Sequence, residues 1–340
     1  MSSQDCKQDM LRIGVDVGST TVKLLVLDPD DQIVFSVYRR HHSDVRATIV
    51  EIIDEALEAV GDGKATITIT GSGGLLLANW LGVPFVQEVI ANKTAIERII
   101  PATDVAIELG GEDAKIIYFD GGIEQRMNGT CAGGTGAFID QMAALLNTDA
   151  SGLDEMAKEH NIIYPIASRC GVFAKTDVQP LLNQGAARAD VARSIFMAVV
   201  NQTIAGLAQG RPIEGNVVYL GGPLTFMSEL RACFDEALHL TGVCPENSLY
   251  FVALGAAHQP SEPVLLSECL EAIEAFHSTE SYNALPPLFK DEDELAAFRA
   301  RHAKAQVKRR DPATYTGDVY LGIDSGSTTI KSVVISTDGC

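Results

Sequence analysis

A chain of 340 residues, 46% hydrophobic and 21% charged, is long enough for two or three packed units and too apolar to remain disordered. Its formal charge of −19 and pI near 4.7 repel a phosphate backbone and argue against a nucleic-acid partner, while small phosphates held by backbone N–H groups stay possible. The polar N-terminus MSSQDCKQDMLR and the lack of a long apolar run argue against secretion and membrane insertion, which makes the cytosol the expected compartment.

In chain order, residues 12–27 predict a β-hairpin whose turn carries Gly18, Ser19 and Thr20. Asp28 to Asp31 makes the next turn and Ile33 to Arg39 a third strand. Apolar spacing predicts a helix over Val45 to Val60, then a strand from Thr66 to Thr70 running into GSGG, and a helix over Asn92 to Ile100. Val105 to Leu109 and Lys115 to Phe119 form a second hairpin, closed by a turn at Asp120 to Gly122. Helices follow over Ala137 to Leu146 and Val191 to Gln209, and a strand over Asn216 to Leu220 ends at Gly221 and Gly222. Residues 259–318 change character. They hold QPSEP, LPP, an acidic stretch and the basic RARHAKAQVKRRDP, which reads as a linker with one or two amphipathic helices, the basic one near Lys304 to Arg310.

The opening IGVDVGSTTVK then returns as LGIDSGSTTIK at Leu321 to Lys331. A hairpin, helices and a second glycine-turn hairpin are what a doubled α/β core produces. The returning copy reads as the start of a further unit that the sequence breaks off after its first hairpin, because such a strand pair is not stable alone.

The turns suggest phosphate chemistry. Asp16 sits at a strand end, Gly18 in the turn, and Ser19, Thr20 and Thr21 supply hydroxyls and N–H groups, an arrangement that suits a phosphate chain with Mg²⁺, with Lys23 adding a charge. Alone it could be an ordinary hairpin turn. The second hairpin repeats the design with Glu108, Gly110, Gly111 and Asp113, and Gly221 with Gly222 offers bare backbone to a base or ribose. Three glycine turns, each ending an apolar strand, point to a nucleotide.

The chain resembles the superfamily of acetate and sugar kinases, Hsp70 and actin. IGVDVGSTTVK, ELGGEDAK, NGTCAGGTGAFIDQMA, SRCGVFAKTDV and YLGGP resemble, in order and spacing, the ATP-dependent activators of 2-hydroxyacyl-CoA dehydratases and the related benzoyl-CoA reductase ATPase subunits, over about residues 12–258. The resemblance implies an α/β fold with two ribonuclease-H-like subdomains around an ATP cleft. Residues 11–100 would form subdomain I, rejoined by a helix near 252–258, and residues 101–251 subdomain II with the cluster cysteines. Residues 259–318 would be a helical linker and 319–340 the opening of a second, tandem ATPase module. It also implies ATP hydrolysis with Asp16, Glu108 and Asp113 as catalytic carboxylates. One departure is visible: the family has Asp before x-Gly-Gly-Gln-Asp, where this chain has Glu108 and Glu112.

Seven cysteines at irregular spacing argue against a disulfide framework. Cys131 and Cys170 lie in glycine-rich contexts outside any C-x₂-C pair. Either could be a buried structural thiol. A mononuclear zinc site would lack ligands, and a [4Fe–4S] cluster needs about four thiolates, hence two more from a symmetry mate or a second module. The resemblance implies that arrangement, a cluster bridged by Cys131 and Cys170 in a homodimer or tandem-module pseudo-dimer. It further implies a ferredoxin or flavodoxin donor and an acceptor that is a hydroxyacyl-CoA dehydratase, an aryl-CoA reductase or a double-cubane cluster protein. Cys6, Cys233, Cys244, Cys269 and Cys340 read as free or buried thiols, and His41-His42 as a solvated turn. A small-molecule kinase of the same fold and a nucleotide-binding regulatory module without turnover remain as alternatives.

Overall fold

The computed structural model describes residues 10–128, 133–167, 171–275, 286–326 and 329–339. They fall into two units that divide at residues 276 and 277.

The first unit opens with β1 (Leu11–Val17), β2 (Thr21–Leu27), β3 (Ile33–Arg40), α1 (Val45–Val60), β4 (Lys64–Thr70), α2 (Gly74–Leu81) and α3 (Glu88–Ile99). It continues through β5 (Val105–Leu109), β6 (Ala114–Tyr118), β7 (Glu124–Met127), α4 (Gly136–Leu145), α5 (Ala150–Ala157), α6 (Gly171–Asn183) and α7 (Arg188–Thr203), the last prolonged by a π turn, Ile204–Ala208. It closes with β8 (Val217–Leu220), α8 (Gly222–Phe226), α9 (Ser228–Leu238), α10 (Phe251–Ala257), β9 (Pro263–Leu265) and α11 (Leu266–Ala275).

Two sheets share one plan. The first runs β3-β2-β1-β4-β9 and the second β7-β6-β5-β8. In each, three strands joined as antiparallel hairpins are followed by a strand parallel to the first, β4 on β1 and β8 on β5. The parallel neighbour requires a crossover, supplied by α1 in the first half and by the helices α4 to α7 in the second. This is the doubled α/β core that the repeated glycine-turn hairpins predicted.

Each sheet buries its own core. Ile13, Val15 and Val17 of β1 pack with Ile49, Ile52 and Ile53 of α1, while Ile107 and Leu109 of β5 pack with Ile139 and Met142 of α4 and Ile195 and Phe196 of α7. A third cluster lies between the sheets: Leu25 and Leu27 of β2 and Val218 and Leu220 of β8 meet Ala95 and Ile96 of α3 and Ala253 and Leu254 of α10. Strands covered on both faces carry continuous apolar runs such as LLVL, not alternation. The helix Arg188–Ala208 is long and apolar enough to cross a membrane, yet 67% of its most apolar window is buried, as a core helix requires.

The stretch read as a linker divides. Residues 263–275 add β9 to the edge of the first sheet, where Val264 lies opposite Ala65, and α11 buries Leu266, Cys269 and Ile273 in the first core. The second unit holds α12 (Glu292–His302), a 3-10 turn at Pro312–Thr314, and an antiparallel ribbon of β10 (Val319–Ser325) and β11 (Ile330–Ser336). The basic helix expected near Lys304 to Arg310 is not formed: residues 305–310 are irregular. Clustered like charges oppose a helix there, and Pro312 excludes the residue before it from helical geometry.

Candidate nucleotide site

The two hairpin turns are built alike. Gly18 N–H donates to the Thr21 carbonyl at 2.9 Å and Gly110 N–H to that of Asp113 at 2.8 Å. The turns touch: a Cβ on Gly111 would overlap Thr20 Oγ1, so only glycine allows this approach. Beside them opens a cleft of about 620 Å³ lined by Thr20, Thr21, Lys23, Gly110, Gly111, Gly136, Ala137 and Gly222, with Tyr38, Arg40, Asp140, Phe226 and Met227 on the remaining walls. Its volume suits a mononucleotide.

The N-terminus of α4 is fastened to the second turn. Gly136 N–H donates to the Gly110 carbonyl at 2.9 Å and Ala137 N–H to Gly111 at 2.8 Å. Two donors that begin a helix without partners of their own thus hold the loop that faces the cleft.

Below the turns lies a buried set of charges. Asp16 and Lys23 are opposite each other across β1 and β2 and pair at 2.7 Å. Burial opposes the charge on Lys23, but Asp16 outweighs it and raises the ammonium pKa. Glu108 faces Lys115 across β5 and β6 at 3.7 Å, and Asn92 Nδ2 donates to its other oxygen at 2.6 Å. Lys115 also pairs with Asp113 at 2.6 Å and with Glu88. Burial raises the Glu108 pKa, Lys115 opposes this, and Asp113 and Glu88 add to it. For Lys115, burial is outweighed by Glu108, Asp113 and Glu88, and its pKa stands well above the ordinary value.

The residues singled out from sequence therefore take three positions. Thr20, Thr21, Lys23, Gly110, Gly111 and Gly222 line the cleft. Ser19 and Asp113 line a second cavity, of about 530 Å³, together with Lys115 and Glu112. Asp16 and Glu108 are buried beneath, and Gly18 closes the first turn. Gly221, at φ +85°, lies against the Leu109 carbonyl and leaves the cleft wall to Gly222. Cys131 and Cys170 lie outside the described residues.

The end of β3 escaped the sequence reading. His41, expected in a solvated turn, is 7% exposed. Its backbone N–H donates to the Thr20 carbonyl at 3.2 Å, and its ring lies between the Gly18 carbonyl at Nε2, 3.2 Å, and the Ser43 N–H at Nδ1, 3.1 Å. A carbonyl only accepts and an amide N–H only donates, so the ring is the neutral Nε2–H tautomer. Arg40 pairs with Asp140 of α4 at 2.9 Å, and Tyr38 meets Phe226 with ring centroids 5.9 Å apart. Both contacts join the first sheet to elements of the second half.

Of the buried side-chain oxygens without a hydrogen-bond partner among the described residues, two lie beside the carboxylates: Thr70 Oγ1, whose residue is level with Asp16 in the sheet, and Asn92 Oδ1 beside Glu108. Acceptors without donors next to carboxylates fit a hydrated Mg²⁺, whose waters donate to both. For an iron–sulfur cluster the available thiols narrow. Cys233, Cys244 and Cys269 are free, and burial pushes Cys233 up to about 12 and Cys269 to about 11, which makes both poor ligands. Among the described residues no group of three or more His, Cys, Asp or Glu could hold a metal ion. Cys170 directly precedes Gly171, the first residue of α6, where a Cβ would stand 2.8 Å from Gln141 Oε1 of α4. The stretches that follow Cys131 and Cys170 in the sequence thus form helices, α4 and α6, that pack on each other.

Twin glycine turns, a helix fastened to one of them and a mononucleotide-sized cleft suit a nucleotide, and the model of the BadF/BadG/BcrA/BcrD ATPase family matches residues 13–257. The chain belongs to this family. A BadF/BadG/BcrA/BcrD-type ATPase binds and hydrolyses ATP, and its fold is that of the acetate and sugar kinases, Hsp70 and actin. The chain is 30% identical over 262 residues to the activator of lactoyl-CoA dehydratase of Anaerotignum propionicum, covering 73% of this chain and 96% of that one. It is 30% identical over 250 residues to the (R)-2-hydroxyglutaryl-CoA dehydratase activating ATPase of Acidaminococcus fermentans, covering 72% and 95%. The crystal structure of component A of that dehydratase, from Acidaminococcus fermentans, superposes with a TM-score of 0.67 at 28% identity, over 77% of this chain and 99% of that one.

Proposed function

We propose that the protein is an ATP-dependent electron-transfer activator of a CoA-ester dehydratase or reductase. The observation that carries this reading is the fastening of α4: the N–H groups of Gly136 and Ala137 hold the Gly110 and Gly111 carbonyls, and α4 is the helix that follows Cys131. A change at the phosphates is thereby transmitted to the cysteine segment.

In this reading Ser19, Thr20 and Thr21 with Lys23 hold the phosphate chain from one side and Gly110 and Gly111 from the other. Gly221 and Gly222 shape the nucleoside wall. Asp16, Glu108 and Asp113 face a hydrated Mg²⁺, which when bound neutralises the phosphates. Glu108 orients the attacking water and takes its proton as the water oxygen bonds to the terminal phosphorus and the bond to the ADP oxygen breaks. The extra methylene of Glu relative to Asp is accommodated by Asn92, which fixes the carboxylate at 2.6 Å. Cys131 and Cys170 supply two thiolates, and a second copy or a tandem module supplies two more, to a [4Fe–4S] cluster. A cluster held by these residues would supply one-electron transfer, with a ferredoxin or flavodoxin donor oxidised and the dehydratase or reductase reduced. The N-termini of α4 and α6, carrying positive dipole ends, favour the extra negative charge nearby. Residues 11–100 and 101–251 form the two ATPase subdomains, and residues 319–340 open a second module.

Anaerobic purification with an iron and sulfide assay tests this directly. About four irons per two thiol pairs, lost in both Cys131→Ala and Cys170→Ala while nucleotide binding persists, is the expected result. An iron-free protein that hydrolyses ATP, or one that phosphorylates a small molecule, would reject it.

A further inference from the structure

The cleft holds a cation whose partner is easily exchanged. Any polyphosphate that enters brings several negative charges, and the cationic side chains on the walls are Lys23 and Arg40. Lys23 can face a phosphate only while keeping its partner: its pair with Asp16 is buried, at side-chain exposures of 13% and 6%, and separating it would leave a buried carboxylate uncompensated. The Arg40 pair with Asp140 is exposed, at 53% and 38%, where solvent screens an ion pair until it contributes little.

Position matters as much as charge. Arg40 is the last residue of β3, and the next N–H, that of His41, is bonded to the Thr20 carbonyl of the first phosphate turn. Asp140 stands one helical turn after Gly136, whose N–H is bonded to Gly110 of the second turn. Arg40 therefore lines the same cleft as both turns, and its planar fork matches phosphate oxygens better than a point charge does. We propose that Arg40 is a phosphate ligand of the bound nucleotide, leaving Asp140 for the polyphosphate when the cleft fills. Because Asp140 belongs to α4, the same exchange removes a tie between the first sheet and that helix.

This deepens the reading of the cleft as the nucleotide site and rests on it. Calorimetric titration of the wild-type chain, Arg40→Ala, Arg40→Lys and Asp140→Ala with ADP and with a non-hydrolysable ATP analogue separates the possibilities. Loss of a charged, bidentate contact predicts roughly ten- to hundredfold weaker analogue binding by Arg40→Ala, a smaller loss for ADP, and partial recovery by Arg40→Lys. Asp140→Ala, which frees the guanidinium, is expected to leave binding unchanged or tighter. Equal weakening by Arg40→Ala and Asp140→Ala would show the pair to be a structural bridge and overturn the proposal, as would unchanged binding by Arg40→Ala. A wild-type chain that binds neither nucleotide would instead overturn the site itself. Both side chains are exposed, and thermal melts of the four proteins confirm that each is folded.

Discussion

His41 fixes the first hairpin turn at two points, through its backbone to Thr20 and through its ring to Gly18, and reaches it from a turn in which His42 and Ser43 both adopt positive φ, 45° and 69°. Two adjacent histidines carry no local mark of burial, so the sequence shows nothing of this role; it arises only when β3 pairs with β2. Removing the ring in His41→Ala leaves the Gly18 carbonyl and Ser43 N–H without partners, and a loss of about 1–3 kcal/mol in stability is expected, with a raised KM for ATP. His41→Gln, whose amide can still donate to Gly18, should recover most of the KM change; melting curves and steady-state kinetics check both. His258 answers to pH instead. Burial, with Arg98 and Arg12 adding and Asp31 opposing, lowers its pKa to about 4, and Arg12 donates to Nδ1 of the neutral ring at 3.3 Å. Between the unfolded value near 6.5 and the folded value of about 4, the unfolded chain binds a proton that the folded chain refuses. Stability therefore falls as pH drops through that window, and His258→Asn, read by urea midpoints from pH 7 to 4, should flatten the decline.

The elements that read most clearly from sequence were those with a single strong period. α1 was placed at its observed bounds, Val45–Val60, because its apolar residues recur at helical spacing. α6 does not read as a helix: it contains Pro180 and opens on glycine, and both features signal a loop. Nor does α9, although Leu230, Cys233 and Phe234 recur at helical spacing and are its buried residues; here the signal is present and too short to stand out. β9 and α11 were read as linker because the prolines around them mark breaks, whereas Pro263 sits at the start of an edge strand, where a missing N–H is tolerated. The site adds a test at this scale. Thr135 is already extended, at φ −119° and ψ 176°, the geometry that a following proline requires, and Gly136 is the first helical residue, where proline is accepted. Gly136→Pro should keep α4, but it replaces the N–H that donates to Gly110 with a ring carbon aimed at a carbonyl 2.9 Å away, and its Cβ would stand 3.2 Å from the same oxygen, so the turn must shift. Loss of one net hydrogen bond, about 0.5–1.5 kcal/mol, together with that displacement predicts nucleotide binding weaker by at least roughly two- to tenfold with unchanged helical circular dichroism; full retention of affinity would show that this tie does not support the turn.

At the scale of the molecule, duplication was legible twice, once inside the first unit and once in the returned hairpin, and the second case is geometrically faithful. Asp324 and Lys331 face each other across β10 and β11 and pair at 3.3 Å, as Asp16 and Lys23 do, and Gly326 N–H donates to Thr329 as Gly18 does to Thr21. The environment differs. Ile13 and Val15 are 1% and 4% exposed, whereas their counterparts Leu321 and Ile323 are 62% and 65% exposed. What the sequence could not convey is that α3 and α10, far apart in the chain, fill the space between the sheets; that packing depends on contacts across the whole first unit. Since the cores of that unit are completed by residues up to Ile273, a chain ending at residue 276 contains everything that the nucleotide cleft is built from. Removing residues 277–340 should therefore leave ATP affinity and the melting transition of the first unit in place, as calorimetric titration and thermal circular dichroism would record. Loss of ATP affinity on truncation would place part of the first unit's stability in residues 277–340.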